Sequence, residues 1–380
     1  MRLNAKKIVE LQETEKENFP VVLKEAIKEV GAKNVSFQEL AWDFFGADVR
    51  QDGFMRKVLR ESEGSVVLPG QLTHTNAFNA TVGGLVNALI MDSYGNPDMI
   101  GDQLVTVKQG NTNGGLAVRV GNDKATARDD YLPGEGYETL GLTESYVAVP
   151  NNKKRGVVIQ LVEEDFIYDQ TSKIQSAAEN AGFVVRYKRE QDILNNVLGL
   201  TNTYSYNGTA NNTYQTATPW INKLTNALND YTDINEAMTV LWANKSPETN
   251  LPLPMMDLSN FKMVVSPAKL MGARAIVRAT EVRTNTASSV YTTIGSNPLA
   301  ANIDVLTSQT VKDLIASDVY WHLINPRAFI YKEIIRFRVQ SAPISSEDVR
   351  RGIVAVYVAD EWGVCFASEP RYTFQSTGAS

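Results

Sequence analysis

The sequence predicts an α+β fold with a mixed sheet and no strict strand–helix–strand alternation. Three observations point there. Helical periodicity fills residues 5 to 62 and returns from Thr171 to Leu198, strand-like runs gather between Ile303 and Ala367, and polar stretches rich in Gly and Asn separate them. At 380 residues the chain exceeds one ordinary core, so two subdomains, or one domain with long excursions, are expected. Hydrophobic residues make up 43% and charged ones 21%, the composition of an ordered chain. A net charge of −6 argues against a protein whose main task is gripping nucleic acid.

At the N-terminal end, Ile8 and Leu11, then Val22, Leu23, Ala26, Ile27 and Val30, recur at helical spacing. Pro20 is expected to separate two helical pieces and Gly31 to cap the second. Ser36 and Glu39 form a capping box ahead of Leu40, Ala41, Phe44 and Phe45, and Gly46 ends that run. These helices read equally as a surface layer or as a docking arm. The start of the chain lacks the apolar core of a signal peptide, and the longest apolar stretch, Ala80 to Met91, is interrupted by Asn87. An intracellular product without a membrane span is expected.

After a turn at Pro69-Gly70, a helix is expected over Ala77 to Met91. Gln103 to Lys108 and Leu116 to Val120 alternate as strands, and strand signal resumes at Tyr146 to Val149 and Gly156 to Val162. Gly114, Gly115, Gly121 and Pro133-Gly134-Glu135-Gly136 lie between these runs. Two extended arms joined by a polar tip make a long hairpin excursion with little core of its own. Such an element makes sense if another subunit supplies the missing contacts.

Thr171 or Ser172 then opens the longest expected helix, a spine closed by Gly199. Its apolar stripe is Ile174, Ala177, Ala181, Val184, Tyr187, Leu194 and Leu198, with Lys173, Glu179, Arg186, Arg189 and Glu190 on the opposite side. Residues 200 to 218 read as a polar linker. Paired helices are expected over Trp220 to Leu228 and Ile234 to Trp242, the second capped by Asp233 and Glu236. A strand at Phe261 to Val265 leads to a helix begun by Ser266-Pro267 and running through Ala279, and Thr280 to Ala301 reads as a loop. Further strands are expected at Ile303 to Leu306, Val319 to Ile324, Phe329 to Gln340, Ile353 to Ala359 and Val364 to Ala367. Turns at Asn325-Pro326 and Trp362-Gly363 punctuate them.

Reactive side chains are sparse. Cys365, the single cysteine, lies in an apolar run and reads as a small core hydrophobe. With it, the two histidines are too few for a structural zinc site, and His74 and His322 read as hydrogen-bonded structural residues. No phosphate-cradling or dinucleotide-binding glycine motif occurs, and Gly134-Glu135-Gly136-Tyr137 reads as a turn. Glu163, Glu164 and Asp165 imitate paired carboxylates, yet they precede the spine helix, where negative charge complements the helix dipole. No catalytic, cofactor-binding or metal-binding residue is expected, and the chain reads as one that works by assembling.

Several segments then fall in a familiar order. Tyr131-Leu132-Pro133-Gly134-Glu135-Gly136 precedes Tyr146 to Val149, the basic Lys153-Lys154-Arg155 and the strand Gly156 to Val162. Glu163-Glu164-Asp165 and Tyr168-Asp169-Gln170-Thr171 lead into the spine helix, which ends Gln191-Asp192-Ile193-Leu194-Asn195-Asn196-Val197-Leu198-Gly199. Phe329-Ile330-Tyr331-Lys332-Glu333 and Glu369-Pro370-Arg371-Tyr372 follow. Over about residues 75 to 376 this resembles the major capsid proteins of tailed phages, those with the Hong Kong 97-like fold.

The resemblance implies an N-terminal helical arm over 1–74, the start of a peripheral domain over 75–102 and an extended loop over 103–155. It further implies a peripheral domain with the spine helix over 156–219, an axial domain over 220–340, and a closing sheet over 341–380. The implied function is a structural major capsid protein, not an enzyme and without cofactors, that self-assembles into an icosahedral head shell enclosing packaged DNA. Its partners would be itself, in hexamers and pentamers, a portal protein, and scaffold or decoration proteins. The double-stranded DNA would be contained without sequence-specific binding, in a virion assembled in the host bacterial cytoplasm. The loop would lie across a neighbouring subunit, burying Val105, Val107 and Val118.

Some members join a loop lysine covalently to an asparagine of a neighbour. Here Lys108 and Lys124 lie on the loop, but Ile353 to Ala367 contains no asparagine, so no such link is expected. Residues 1–62 are short for a segment removed on maturation and are expected to be retained. Two other readings stand beside this one. An encapsulin-like compartment shell shares the fold and differs in cargo, and a carboxylate-dependent hydrolase using Glu135, Glu138 or Asp165 would turn over substrate without assembling.

Overall fold

The computed structural model describes residues 5–14, 19–45, 69–122, 142–168, 173–202, 204–247, 251–253, 258–279, 281–285, 292–296, 303–315, 317–343 and 345–378. Helices α1 (Ala5–Thr14), α2 (Phe19–Val30), α3 (Phe37–Phe45), α4 (Pro69–Tyr94) and the single-turn α5 (Gly101–Leu104) come first. Strands β1 (Thr106–Gln109), β2 (Gly115–Asn122), β3 (Leu142–Val149) and β4 (Lys153–Val162) lead to α6 (Glu163–Tyr168) and the spine helix α7 (Lys173–Val197). Next are β5 (Ser205–Tyr206), β6 (Thr209–Ala210), β7 (Lys223–Leu224), α8 (Tyr231–Ala243), β8 (Lys262–Val265), α9 (Leu270–Arg278), β9 (Glu281–Asn285) and β10 (Thr292–Ser296). The chain closes with β11 (Asp304–Leu306), α10 (Gln309–Leu314), β12 (Trp321–Ile324), β13 (Phe329–Ala342), α11 (Ser346–Arg350), β14 (Ile353–Ala367) and β15 (Thr373–Ser376).

These elements form two compact units. The first comprises Met1–Pro97, Lys154–Lys188 and Ile335–Trp362, the second Asp98–Lys153, Arg189–Ile334 and Gly363–Ser380. The spine helix, β13 and β14 each belong partly to one unit and partly to the other.

In the first unit, Ile8, Phe19, Leu23, Ile27, Phe37 and Leu40 share one core with Phe78, Val82, Leu85, Val86 and Leu89 of α4. The spacing of three and four residues puts each set on one helix face. At roughly 1.5–3 kcal/mol for each large apolar side chain removed from water, this burial makes α1 to α3 a working layer of the core. Pro20 sits in the first turn of α2, where its missing N–H costs no helical bond, so it lies inside the second helix and does not separate the two pieces as expected. The same reason corrects the expected turn at Pro69-Gly70. Pro69 opens α4, which at 26 residues is one longer than the spine. The leading half of the spine joins this core through Ile174, Ala178 and Ala181. Gly182 lets it approach α4 closely, since a Cβ there would stand 2.2 Å from the Ile90 carbonyl oxygen. Glu163 to Asp165 do not open the spine; they form the first turn of α6, whose own dipole they complement.

In the second unit, β2 and β3 pair in antiparallel register from Gly115↔Val149 to Asn122↔Leu142, and β5 and β6 extend the sheet. The stretch expected as a linker thus supplies two strands, turned at Asn207 (φ 47°) and Gly208 (φ 80°), the positive-φ pair of a type I′ hairpin. A five-stranded sheet in the order β11-β8-β12-β15-β7 packs Met263, Val265, Leu323 and Phe374 against Ile234, Met238 and Leu241 of α8 and Val277 of α9.

Trp220 to Leu228 is not helical. Buried Asn222 binds the carbonyls of Thr213 (3.0 Å) and Pro370 (2.8 Å), holding the segment extended so that it contributes β7. The cap of α8 is Asp230 with Asp233, one turn earlier than the expected pair. Thr280 to Ala301 contains the antiparallel ribbon β9–β10 where a loop was expected. Gln103 belongs to α5, and the strand begins only at Thr106. Trp362-Gly363 is no turn, because β14 runs unbroken through it. Gly363 is needed there because a Cβ would stand 2.6 Å from the Tyr331 hydroxyl and 2.9 Å from the Lys332 carbonyl. No helix among the described residues is long and apolar enough to cross a membrane.

Candidate functional site: the hairpin base and the spine charges

The spine helix carries its charges where its sequence hides them. Arg189 (4% exposed), Glu190 (0%) and Asp192 (6%) are buried, while Val184 on the expected apolar stripe is 42% exposed. The stripe reading is therefore corrected, and Arg186, Arg189 and Glu190 do not form a solvent face. The physical reason lies in partners distant in sequence. Arg189 bonds Asp102 (2.9 Å) and Glu333 (3.2 Å), and its guanidinium lies 4.1 Å from the Tyr331 ring centroid. Asp192 pairs with Lys153 and accepts the Cys365 backbone N–H at 3.1 Å. Buried charges persist only when paired in this way. In the first unit, Arg186 lies 5.5 Å from the Tyr94 ring centroid.

These pairs surround the root of the β2–β3 hairpin. Asp102 stands before β1, Lys153 follows β3, and β1 lies parallel to β13 with Thr106↔Ile330 and Gln109↔Glu333 in register. Val147 (1% exposed) sits in a core with Leu194, Val197 and Tyr204, so the hairpin base is packed within its own unit. Val105, expected to await a neighbour, is 5% exposed in that same core, and the expectation for it is corrected. Val107 and Leu116 are open to solvent, at 43% and 61%. The Val118 side chain, Lys124, the segment Tyr131 to Gly136, Tyr137 and Glu138 lie outside the described residues.

The remaining singled-out groups do not converge. Cys365 is wholly buried. His322 is 1% exposed, with the Gln375 amide nitrogen 3.1 Å from its Nε2, and burial pushes its pKa down to about 3. The side chain of His74 lies outside the described ones. Glu163 is buried, and Asp165 pairs with Lys173 at 2.7 Å. Lys108 is exposed on β1. Among the described residues no group of three or more His, Cys, Asp or Glu is placed to hold a metal ion. The buried charge pairs were legible only as charges, since nothing in the spine sequence marks which distant residue neutralises each.

The family of phage capsid proteins matches residues 149–374, more than half of the chain, and the chain belongs to that family. It is a phage capsid protein, a structural building block of the phage head shell. Among solved structures it is similar to the capsid of the cyanophage P-SCSP1u, with 13% identity, a TM-score of 0.45, and 73% of this chain and 87% of that chain covered. It is also similar to the capsid of a native GTA particle, with 11% identity, a TM-score of 0.45, and 75% and 91% covered. A chain of Mycobacterium phage Che8 is similar at 12% identity and a TM-score of 0.43, with 74% and 92% covered. No curated protein matches the sequence.

Proposed function

We propose that the β2–β3 hairpin is the element this capsid subunit lends to its neighbour. The observation that carries this reading is the contrast between the two faces of one hairpin: Val147 is buried in the subunit's own core, while Leu116, on the next rung and therefore on the opposite face, is 61% exposed. An element rooted in one subunit and apolar outside it gives each copy both a donor and an acceptor surface. Such heterologous contacts close into rings when the rotation closes, and obligate interfaces of this kind bury more than about 2,000 Å².

On this reading the extended loop occupies 103–155, the peripheral domain 75–102, 156–219 and 341–380, and the axial domain 220–340, with 1–74 as a helical arm. Support for the axial assignment comes from the core shared by Leu228, Ile234, Met238, Phe261, Val277 and Trp321, which Phe374 of β15 joins from outside 220–340. Hexamers and pentamers of this chain, a portal protein, and scaffold or decoration proteins are its partners, with assembly in the bacterial cytoplasm. DNA is contained without sequence-specific grip, consistent with a net charge of −6. No covalent link between subunits forms, so denaturing gels of particles show the single chain and no ladder.

The test is a hairpin shortened by replacing residues 119–144 with Asn-Gly, so that a three-residue loop ending in Ser145 closes the base pairs Leu116↔Ala148 to Val118↔Tyr146. The expected product is a folded subunit that builds no shells. Normal shells from it would end the reading.

A further inference from the structure

We propose that Lys332 is a positioning residue that fixes the direction in which the hairpin leaves its subunit, and thereby the register in which copies meet. The inference rests on the hairpin being the donor element. The Lys332 ammonium donates to the Thr112 carbonyl (2.7 Å), the Gly114 carbonyl (3.0 Å) and the Thr112 hydroxyl (3.1 Å). An ammonium has three donors, and one tight turn at the hairpin foot accepts all of them. Hydrogen bonds to a charged group are the strong ones, so this turn is held by more than an ordinary loop contact.

The turn is shaped around that lysine. Gly114 (φ 67°) and Gly115 (φ 111°) take the left-handed backbone that aims the acceptors inward. A Cβ on Gly110 would stand 2.5 Å from Lys332 Cε, so glycine there leaves room for the stem. A lysine is otherwise a poor choice at this position, because its register partner across the parallel β1–β13 pair is Lys108.

The outgoing side of the foot is fastened as well. Asn152 donates its backbone N–H to Asn113 Oδ1 (2.8 Å) and its side-chain amide to the Thr112 carbonyl (3.1 Å). Lys153 pairs with Asp192 of the spine helix. Entering and leaving strands are thus joined to each other, and Lys332 ties the joint to β13.

Spin labels at Leu116→Cys and Lys312→Cys in the full chain read the direction directly, since both sites are exposed and the native Cys365 is buried. In unassembled subunits the wild-type distance distribution should be narrow. Lys332→Met keeps the aliphatic stem and removes the ammonium. It should at least double the width and lower shell yield at least tenfold in the unlabelled chain. Lys332→Arg should restore both the narrow distribution and the shells.

A wild-type width or wild-type shell yield in Lys332→Met overturns the proposal, as does a lowered thermal midpoint with unchanged width, the mark of a merely fold-supporting residue. Should Lys332→Met not fold, Lys332→Gln, which keeps one amide group in place of the ammonium, must widen the distribution or the proposal falls. Normal shells from the chain lacking 119–144 would defeat the donor reading itself. Shells lost on that truncation but kept in Lys332→Met would defeat only the role of Lys332.

Discussion

The carboxylate of Glu190, fully buried in the spine helix, accepts the backbone N–H groups of Ile100 at 3.0 Å and Gly101 at 2.7 Å. These are donors at the start of α5 that no residue of that short helix can satisfy, so the cap comes from 90 positions away in the sequence. A Cβ on Gly101 would stand 2.5 Å from Glu190 Oε2, so glycine is what lets the carboxylate in.

Glu190→Gln keeps the shape but replaces one acceptor oxygen with an amide donor facing an N–H. It should lower stability by about 1–3 kcal/mol, the cost of leaving a buried group unsatisfied. Gly101→Ala should cost a similar amount by displacing the carboxylate. Urea denaturation checks both, and wild-type midpoints in both variants would contradict the capping role.

Gly363→Ala tests the close passage of β14 over Tyr331. With the hydroxyl 2.6 Å and the ring carbon Cζ 2.8 Å from the new methyl group, neighbouring side chains must shift. Overpacking of this kind costs about 1–3 kcal/mol. Differential scanning calorimetry should show the lower midpoint, and an unchanged one would mean that the strand yields freely.

Acid should weaken the fold through His322. Burial, helped by the Lys223 charge, holds its pKa at about 3 against an ordinary 6.5. Between those values the unfolded chain binds a proton that the folded chain refuses. Stability from this group is therefore complete above pH 6.5 and falls as pH drops. The loss is roughly 1.4 kcal/mol per pH unit. Between pH 7.5 and 5.0, wild type should lose about 2 kcal/mol more than His322→Gln by the same linkage. Parallel losses would refute the assignment.

The N-terminal helices should remain in finished particles. Leu23 and Ile27 are 3% and 2% exposed in a core shared with α4, so removing α2 would uncover that core. Peptide mapping of subunits from purified shells should recover the residues of α1 and α2, and loss of the residues before Pro69 would contradict this. Leu23→Ala should cost about 2–5 kcal/mol in the unassembled subunit.

Much of this architecture is legible in the residues. Ser266-Pro267 starts its helical turn with the Ser266 hydroxyl accepting the Ala268 N–H at 3.4 Å, and Gly31 (φ 82°) and Gly199 (φ 74°) take the positive φ expected of glycines at helix ends. The long strands β13 and the first part of β14 lie where β-branched and aromatic residues gather. What escaped reading depends on partners far along the chain. Strands of two residues, such as β5 and β6, carry no periodicity, and only the Asn207-Gly208 dipeptide hinted at their turn. Trp220 to Leu228 has helical spacing but is held extended by Asn222. Arg189 and Glu190 look like a solvent face until Asp102, Glu333 and the Ile100–Gly101 backbone arrive to neutralise them. The same distance hid the role of Lys332, since nothing in its strand marks Thr112 and Gly114 as acceptors.

Electron cryomicroscopy of shells built by this chain tests the central claim most directly. Residues 119–144 of each subunit should be found lying on a neighbouring copy, with Leu116 covered by it. Shells in which those residues touch only their own subunit and Leu116 stays open to solvent would contradict the account.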